Sequence, residues 1–340
     1  MKKYLLLFIS FSFLLFISCN KKSKQSDNYI EPNDTIPETT KVEPKKTLAP
    51  EDIDFQKDIQ YEKYTLEDEY PYKDTVRQFQ WDKIKEKIAH IENELNIDDP
   101  HEQRIGILSN YKNINGEAPT IPNFVRDEYK MVADEYGVQR YQSVPLYTVE
   151  DTTHVRYGRD GWIAKIVGSD SAEMIQIHGV SFDGNYLIPK KYLIQWGTDL
   201  HFDKIIAVDV TNQNISTLQK NDKTWQILSM NPSTTGVHNP PYARETPLGI
   251  FAVQEKKEKM YYTKDGSSEI AGYAPYASRF SNGGYIHGVP SQLPRTSIIE
   301  YSQSLGTTPR SHMCVRNASS HSKFIYDWAA VKESIVVVID

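Results

Sequence analysis

The chain closes on Ser334-Ile335-Val336-Val337-Val338-Ile339, a nearly continuous apolar run with no charge in it. A strand with one wet face alternates apolar and polar residues, whereas an unbroken apolar run suits a strand covered on both faces. Ile205 to Val210, Trp225 to Met230 and Gly249 to Val253 read as further strands, separated by many Gly, Pro and Asn turn signals and by few helical stretches. The region from about 201 to 340 is therefore expected to be a mainly β domain.

Upstream, Gln142 to Trp196 contains the short β-rich runs SVPLYTV, WIAKIV, MIQIHGV and YLIPKKYLI, divided by Gly158-Arg159-Asp160-Gly161 and Asp183-Gly184-Asn185. This pattern predicts a small β-barrel over 138–200. Before it, Trp81, Ile84, Ile88, Ile91 and Leu95 recur at spacings of three and four, which predicts an amphipathic packing helix from about Asp74 to Leu95. A second helix is expected from Phe124 to Glu135, after the Asn115-Gly116 turn and the Pro119 to Pro122 breaker, so 72–137 reads as an N-terminal helical segment. Residues 20–71 are rich in Lys, Ser, Asp, Glu, Thr and Pro and are expected to be a disordered tether. Ile53, Phe55, Ile59 and Tyr61 carry a weak apolar rhythm that would let part of it fold onto the body.

The 39 Lys and Arg are outweighed by 45 Asp and Glu, and no long basic block lies beyond the first 50 residues, so nucleic acid is not an expected partner. Residues 1–19 combine Lys2 and Lys3, an apolar stretch from Tyr4 to Ile17, and Ser18 before Cys19. That is the layout of an export signal. Ending on Cys19, it resembles the lipobox of bacterial lipoproteins, with Phe16 where Leu is usual. The resemblance implies lipidation of Cys19 and a membrane-anchored protein of the cell envelope facing the periplasm.

Cys314 is the only cysteine after Cys19, and an unpaired thiol in an exported protein is exposed to oxidation unless it serves chemistry. It stands in Ser311-His312-Met313-Cys314-Val315-Arg316, downstream of Gly284-Tyr285-Ile286-His287-Gly288. A nucleophile, two imidazoles and a guanidinium that favours the thiolate are the parts of a cysteine acyltransferase. These two segments are similar to the signature of the L,D-transpeptidases, and the similarity extends through Ile206 to Val210 with Gln213 and through Thr246 to Val253.

The resemblance implies a β-sandwich catalytic domain over 201–340. It makes His287 the base for Cys314, gives the oxyanion to the amides of His312, Met313 and Cys314, and leaves the His312 side chain to brace their loop. Arg316 would meet a substrate carboxylate or lock the site, and Tyr285 and Gly288, near His287, are further candidates for oxyanion or substrate binding. The implied substrates are peptidoglycan stem peptides. Cys314 would take the acyl group of a tetrapeptide stem, release D-Ala, and pass the acyl group to an amine of another stem, to water, or to a protein amine. Met313 stands where the family has Gly, the segment Gly288 to Arg310 is longer than usual, and the Asn and Asp that often follow the Arg are missing. An inactive wall-binding lipoprotein is the alternative that Met313 suggests.

The runs around Val144-Pro145-Leu146-Tyr147 and Ile188 to Leu193 resemble a bacterial SH3-like domain, which implies binding of wall peptides or a purely architectural part. Tyr261, Tyr262, Tyr273, Tyr276, Phe280 and Tyr285 form an aromatic, Gly-rich stretch suited to a lid or to turn packing. His321 could join His287, His312 and Cys314 around a zinc ion, but neither a His-Glu-x-x-His helix nor a second nearby Cys is present, so no metal or cofactor is expected. Cys19→Ser should move the protein from the membrane to the soluble fraction; retention on membranes at high salt would contradict lipidation.

Overall fold

The computed structural model describes residues 46–95, 103–169, 171–197 and 201–340. The export segment, Cys19 and the tether up to residue 45 lie outside the described residues.

The C-terminal apolar run is the strand Ser334–Ile339, buried along its whole length. It lies between Lys204–Asp209, to which it is parallel, and Gly249–Ala252, to which it is antiparallel, in a six-stranded sheet. The sheet continues through Asn214–Asn221 and Thr224–Pro232 to Asp54–Lys57. Both faces are covered, as the unbroken run requires. Ile205, Ala207, Ile335 and Val337 pack with Ile84, Ile88, Ile91 and Leu95 of helix α1 (Trp81–Leu95). Ile206, Val208, Val336 and Val338 face the opposite core with Phe251, Phe280, Ile286 and Val315.

Phe280, Ile286 and Val315 belong to a second sheet of Glu255–Thr263, Ile270–Ser281, Gly284–His287 and Val315–Arg316, with Ser291–Gln292 paired to its long strand. Helix α2 (Ser319–Trp328) follows, its Ile325 fully buried in the same core. This pair of sheets is the mainly β arrangement that the C-terminal sequence implies.

Three expectations are corrected. Residues 46–71 are not a tether: Asp54–Lys57 joins the six-stranded sheet in parallel with Thr224–Pro232, and Ile53, Tyr61 and Tyr70 are buried. The weak apolar rhythm suffices because a neighbouring strand supplies its hydrogen bonds. The first helix starts at Trp81 rather than near Asp74, because Glu69–Tyr72 and Thr75–Gln78 form a hairpin whose turn places Lys73 at φ +53°. No helix forms over Phe124 to Glu135. Val125–Arg126 and Val132–Ala133 make a two-stranded hairpin, Phe124 and Val125 are exposed, and the Asp127 carboxylate accepts the Met131 amide at 2.9 Å. Only Val132 and Ala133 reach the core, which is too little burial to stabilise a helix, and the local Asp turn takes over.

The strands expected within 138–200 are present, but their sheet is seven-stranded and also takes in Ile105–Leu108, from what reads as the helical segment. Its residues divide between the two cores already described, Leu108, Tyr157 and Trp162 in one and Ile105, Ile107 and Ile163 in the other. The flanking sheet and the C-terminal sheets are thus one compact unit over Lys46–Asp340.

The tightest junction is the turn Asp160-Gly161. Gly161 sits at φ +91°, and a Cβ there would lie 1.9 Å from the Phe280 carbonyl oxygen, so only glycine fits. The Asp160 side chain is fully buried. Its Oδ1 accepts the amides of Asn110 (2.9 Å) and Tyr111 (3.0 Å), both in the flanking sheet's loop, while Oδ2 accepts from Arg279 Nη1 (2.5 Å), Gln254 Nε2 (3.0 Å) and the Asn282 amide (3.0 Å). Removing one partner of a buried ion pair leaves the other charge uncompensated, at a cost of about 3–5 kcal/mol. Asp160→Ala is therefore expected to lower the unfolding free energy by about that amount in urea titration, and a change within about 1 kcal/mol would show that the junction carries little.

Candidate active site

Cys314 precedes the short strand Val315–Arg316, which pairs in parallel with Gly284–His287 so that His287 lies opposite Arg316 and Ile286 opposite Val315. This one pairing unites the two sequence segments that carry Cys314 and His287. The thiol is 8% exposed at the floor of a cleft of about 1700 Å³. Its Sγ–H donates to the Gly283 carbonyl at 3.5 Å. Burial pushes the thiol pKa up, while the Tyr285 backbone amide and the Arg316 guanidinium, which favour the thiolate, pull the other way.

His287 is 3% exposed and lines the same cleft. Its Nδ1 lies 2.6 Å from the Gly288 carbonyl oxygen, which can only accept, so Nδ1 carries the proton and Nε2 keeps a lone pair for base duty. Burial lowers the imidazole to about 4, with Arg316 acting in the same sense against the Gly288 bond. The resting pair is consequently a neutral imidazole and a neutral thiol. Gly288 acts through its backbone rather than through the cleft: a Cβ there would meet Ser319 Oγ at 2.6 Å and Pro275 Cγ at 2.8 Å.

The Ser311 to Cys314 loop is held from several sides. The Ser311 hydroxyl donates to the Cys314 carbonyl, and the Thr246 hydroxyl donates to the Met313 carbonyl at 2.8 Å. Met313 has φ +79°, the left-handed region that glycine adopts freely. Methionine therefore holds the kind of backbone conformation that a glycine would favour here, at a strain of about 1–3 kcal/mol. Gly236 makes room for it, since a Cβ there would lie 2.8 Å from the Met313 Cα.

The other sequence candidates divide. Arg316 lines the cleft and its Nε has no acceptor among the described residues. Tyr285 is nearly buried, with its hydroxyl donating to Glu255 at 3.1 Å and accepting from Lys257 at 3.1 Å. Burial, Tyr111 and Glu255 all raise its pKa, which keeps the phenol protonated. The His312 ring turns away to the rim and pairs with Asp265 at 3.1 Å, which ties the cysteine loop to the tip of the adjoining hairpin. His321 lies in the core against Ser229 at 2.9 Å and Tyr61, so it does not converge with His287 and His312.

Sequence reasoning missed several parts. Gly283 carries the thiol's acceptor, and nothing marks a backbone carbonyl in a sequence. Tyr111 and Lys112 reach the cleft from the flanking sheet. The tyrosine-rich stretch is a long hairpin, and Pro290, Gln292 to Ser297 and Ile299 also line the cleft. Beyond them, Arg77 donates to the carbonyls of Gly306 (2.5 Å) and Thr307 (2.7 Å), and the Tyr64 ring packs at a tilt against Tyr301 at 4.3 Å.

Residues 203–338 match the sequence model of YkuD, the L,D-transpeptidase catalytic domain. Among solved structures, an L,D-transpeptidase from Mycobacterium smegmatis shares 14% identity, with 58% of this chain and 99% of that chain covered and a TM-score of 0.34. Mycobacterium tuberculosis L,D-transpeptidase 1 shares 17% identity over 46% of this chain and 78% of that chain, with a TM-score of 0.30. A fused Zn-dependent amidase/peptidase/peptidoglycan-binding domain-containing protein from Clostridium acetobutylicum shares 18% identity over 40% of this chain and only 52% of its own, with a TM-score of 0.30. No match is found among curated proteins.

Because the thiol pKa is raised, the thiolate fraction at neutral pH is small and grows with alkalinity. Alkylation of Cys314 in the resting protein is expected to be still accelerating above pH 9.0, the ordinary thiol value. A rate that levels off near neutrality would instead indicate a preformed thiolate.

Proposed function

We propose that this protein, whose residues 203–338 match the L,D-transpeptidase catalytic domain model, cross-links peptidoglycan stem peptides through a thioester on Cys314, at the cell envelope and anchored through lipidated Cys19. The observation that supports this reading is the parallel pairing of Gly284–His287 with Val315–Arg316, which brings the His287 and Cys314 segments together in one cleft that both residues line.

The chemistry follows from the protonation states. As Sγ attacks the carbonyl of the residue before the terminal D-Ala, its proton passes to Nε2 of His287. Proton transfer coupled to attack suits a pair in which neither partner is ionised at rest. The tetrahedral oxyanion would lie against the amides of the Ser311 to Cys314 loop, as in other acyl transfers. Collapse breaks the peptide bond, the amine of D-Ala takes the proton back from His287, and the thioester remains. An acceptor amine then attacks, gives its proton to His287, and restores the thiol once sulfur has left. Arg316, with a free guanidinium nitrogen in the cleft, supplies positive potential for the developing thiolate or for a substrate carboxylate.

Hydrolysis of the thioester is the competing fate, and the wall built from Pro290 to Ile299 favours transfer. Water is abundant, so aminolysis needs an acceptor held in place and a cleft that limits access. The inactive wall-binding alternative loses its main support, because Met313 occupies a conformation of the glycine type rather than collapsing the loop.

Cys314→Ala should fold normally and form no covalent adduct with tetrapeptide stems or with a carbapenem, while wild type gains the acyl mass by mass spectrometry. His287→Ala should slow acylation by about 10² or more. Stems released only as tripeptide and D-Ala, despite ample acceptor, would replace the transpeptidase assignment with a carboxypeptidase.

A further inference from the structure

The cleft is far more basic than the protein that carries it. The chain has a formal charge of −6, yet Lys112, Lys257, Lys259, Lys264, Arg295 and Arg316 line the cleft, and Asp265 is the one carboxylate among its described lining residues. That carboxylate is engaged by His312.

Two of the six cations are neutralised locally, Lys257 by Glu255 at 3.2 Å and Lys264 by Glu269 at 2.6 Å. Lys112 and Lys259 instead lie over the rings of Tyr111 (5.3 Å) and Tyr273 (5.4 Å). Lys257 and Lys259 fall on alternate positions of one strand and so share its face. Lys256, on the other face, points away and donates to the Tyr326 carbonyl. Arg316 is partly buried with an unpaired Nε, and a guanidinium donor withdrawn from water is costly unless something accepts from it.

Lys112 comes from the flanking sheet and is held there deliberately. Lys112 and Asn113 are consecutive non-glycine residues at φ +55° and +54°. Such strain persists only where the surroundings over-determine it. Here the Lys112 amide donates to Gln142 Oε1 at 2.8 Å, the Gln142 amide donates to Asn113 Oδ1 at 2.7 Å, and the preceding Tyr111 amide donates to Asp160 at 3.0 Å. The loop is a rigid bracket that carries a lysine and a tyrosine into a cleft whose chemistry belongs to another sheet.

We infer that Lys112, Lys259, Arg295 and Arg316 form an anion-reading wall, and that the stem this cleft selects carries free rather than amidated side carboxylates. The inference rests on the proposed transpeptidase function for the identity of the peptide, and it gives the flanking sheet a part in substrate choice. A carboxylate brought among several cations gains charge-assisted hydrogen bonds that a neutral amide does not. The focused potential also draws anionic peptides into the cleft.

Binding to Cys314→Ala separates recognition from chemistry. Two synthetic tetrapeptide stems are compared by calorimetry, identical except that the carboxylates of their second and third residues are free in one and amidated in the other. The free form should bind about tenfold tighter, and its affinity should fall as salt is raised. Lys112→Gln and Lys259→Gln together should bring the two stems within about twofold of each other; both side chains are exposed, and an unchanged Tm confirms folding. Equal affinities in the Cys314→Ala protein, tighter binding of the amidated stem, or a preference that survives the double lysine substitution would overturn the inference. A charge preference in binding with no acylation of the wild-type thiol would leave the anion-reading wall standing and remove the transpeptidase reading.

Discussion

The buried carboxylate of Asp160 divides its two oxygens between two sheets. One takes the amides of Asn110 and Tyr111, and the other takes Arg279, Gln254 and the amide of Asn282. A charge held away from water is tolerable only when it is paired and fully hydrogen-bonded, so the groups around it are constrained to stay. The residue after Asn282 supplies the carbonyl that accepts from the Cys314 thiol. The position of the Cys314 thiol's hydrogen-bond partner is thus set from outside the region that matches the catalytic family model, which spans 203–338.

The cleft is assembled in the same way. One wall is the hairpin of Glu255–Thr263 and Ile270–Ser281, another is Pro290 to Ile299, and the corner is Tyr111-Lys112 from the flanking sheet. The wall at 290–299 continues into a segment pinned by Arg77 and Tyr64, which lie more than two hundred residues upstream. Side chains that must hold substrate to within fractions of an ångström are best mounted on elements that cannot move independently. Shared cores and a buried ion pair provide that rigidity, and the flanking sheet is accordingly part of the enzyme's frame rather than a module on a string.

Inside the cleft, low exposure does two opposed things. It raises the thiol and lowers the imidazole, which keeps both uncharged at rest. It also strengthens the influence of the Arg316 guanidinium, which favours the thiolate form of Cys314. The strained backbone at Met313 belongs to the same design, since Gly236 leaves the space that a methionine in a left-handed conformation needs.

Much of this was legible in the residues themselves. The apolar run at 334–339 required a doubly covered sheet, the three-and-four spacing of Ile84, Ile88, Ile91 and Leu95 required a packing helix, and the Cys314 and His287 segments carried their chemistry in local motifs. What escaped the sequence depends on partners distant along the chain. Asp54–Lys57 becomes a strand only because Thr224–Pro232 offers an edge, and Phe124 to Glu135 becomes a hairpin because Val132 and Ala133 reach the core while Phe124 and Val125 stay exposed. Asp160 reads as one more turn residue until Arg279 is brought against it, and Lys112 reads as a surface lysine until its loop is folded into the cleft. Periodicity and motif are written in neighbouring residues, so the sequence alone decides them; burial, pKa and the walls of a cleft are properties of residues that meet only when the chain has folded, and the tertiary structure alone decides those.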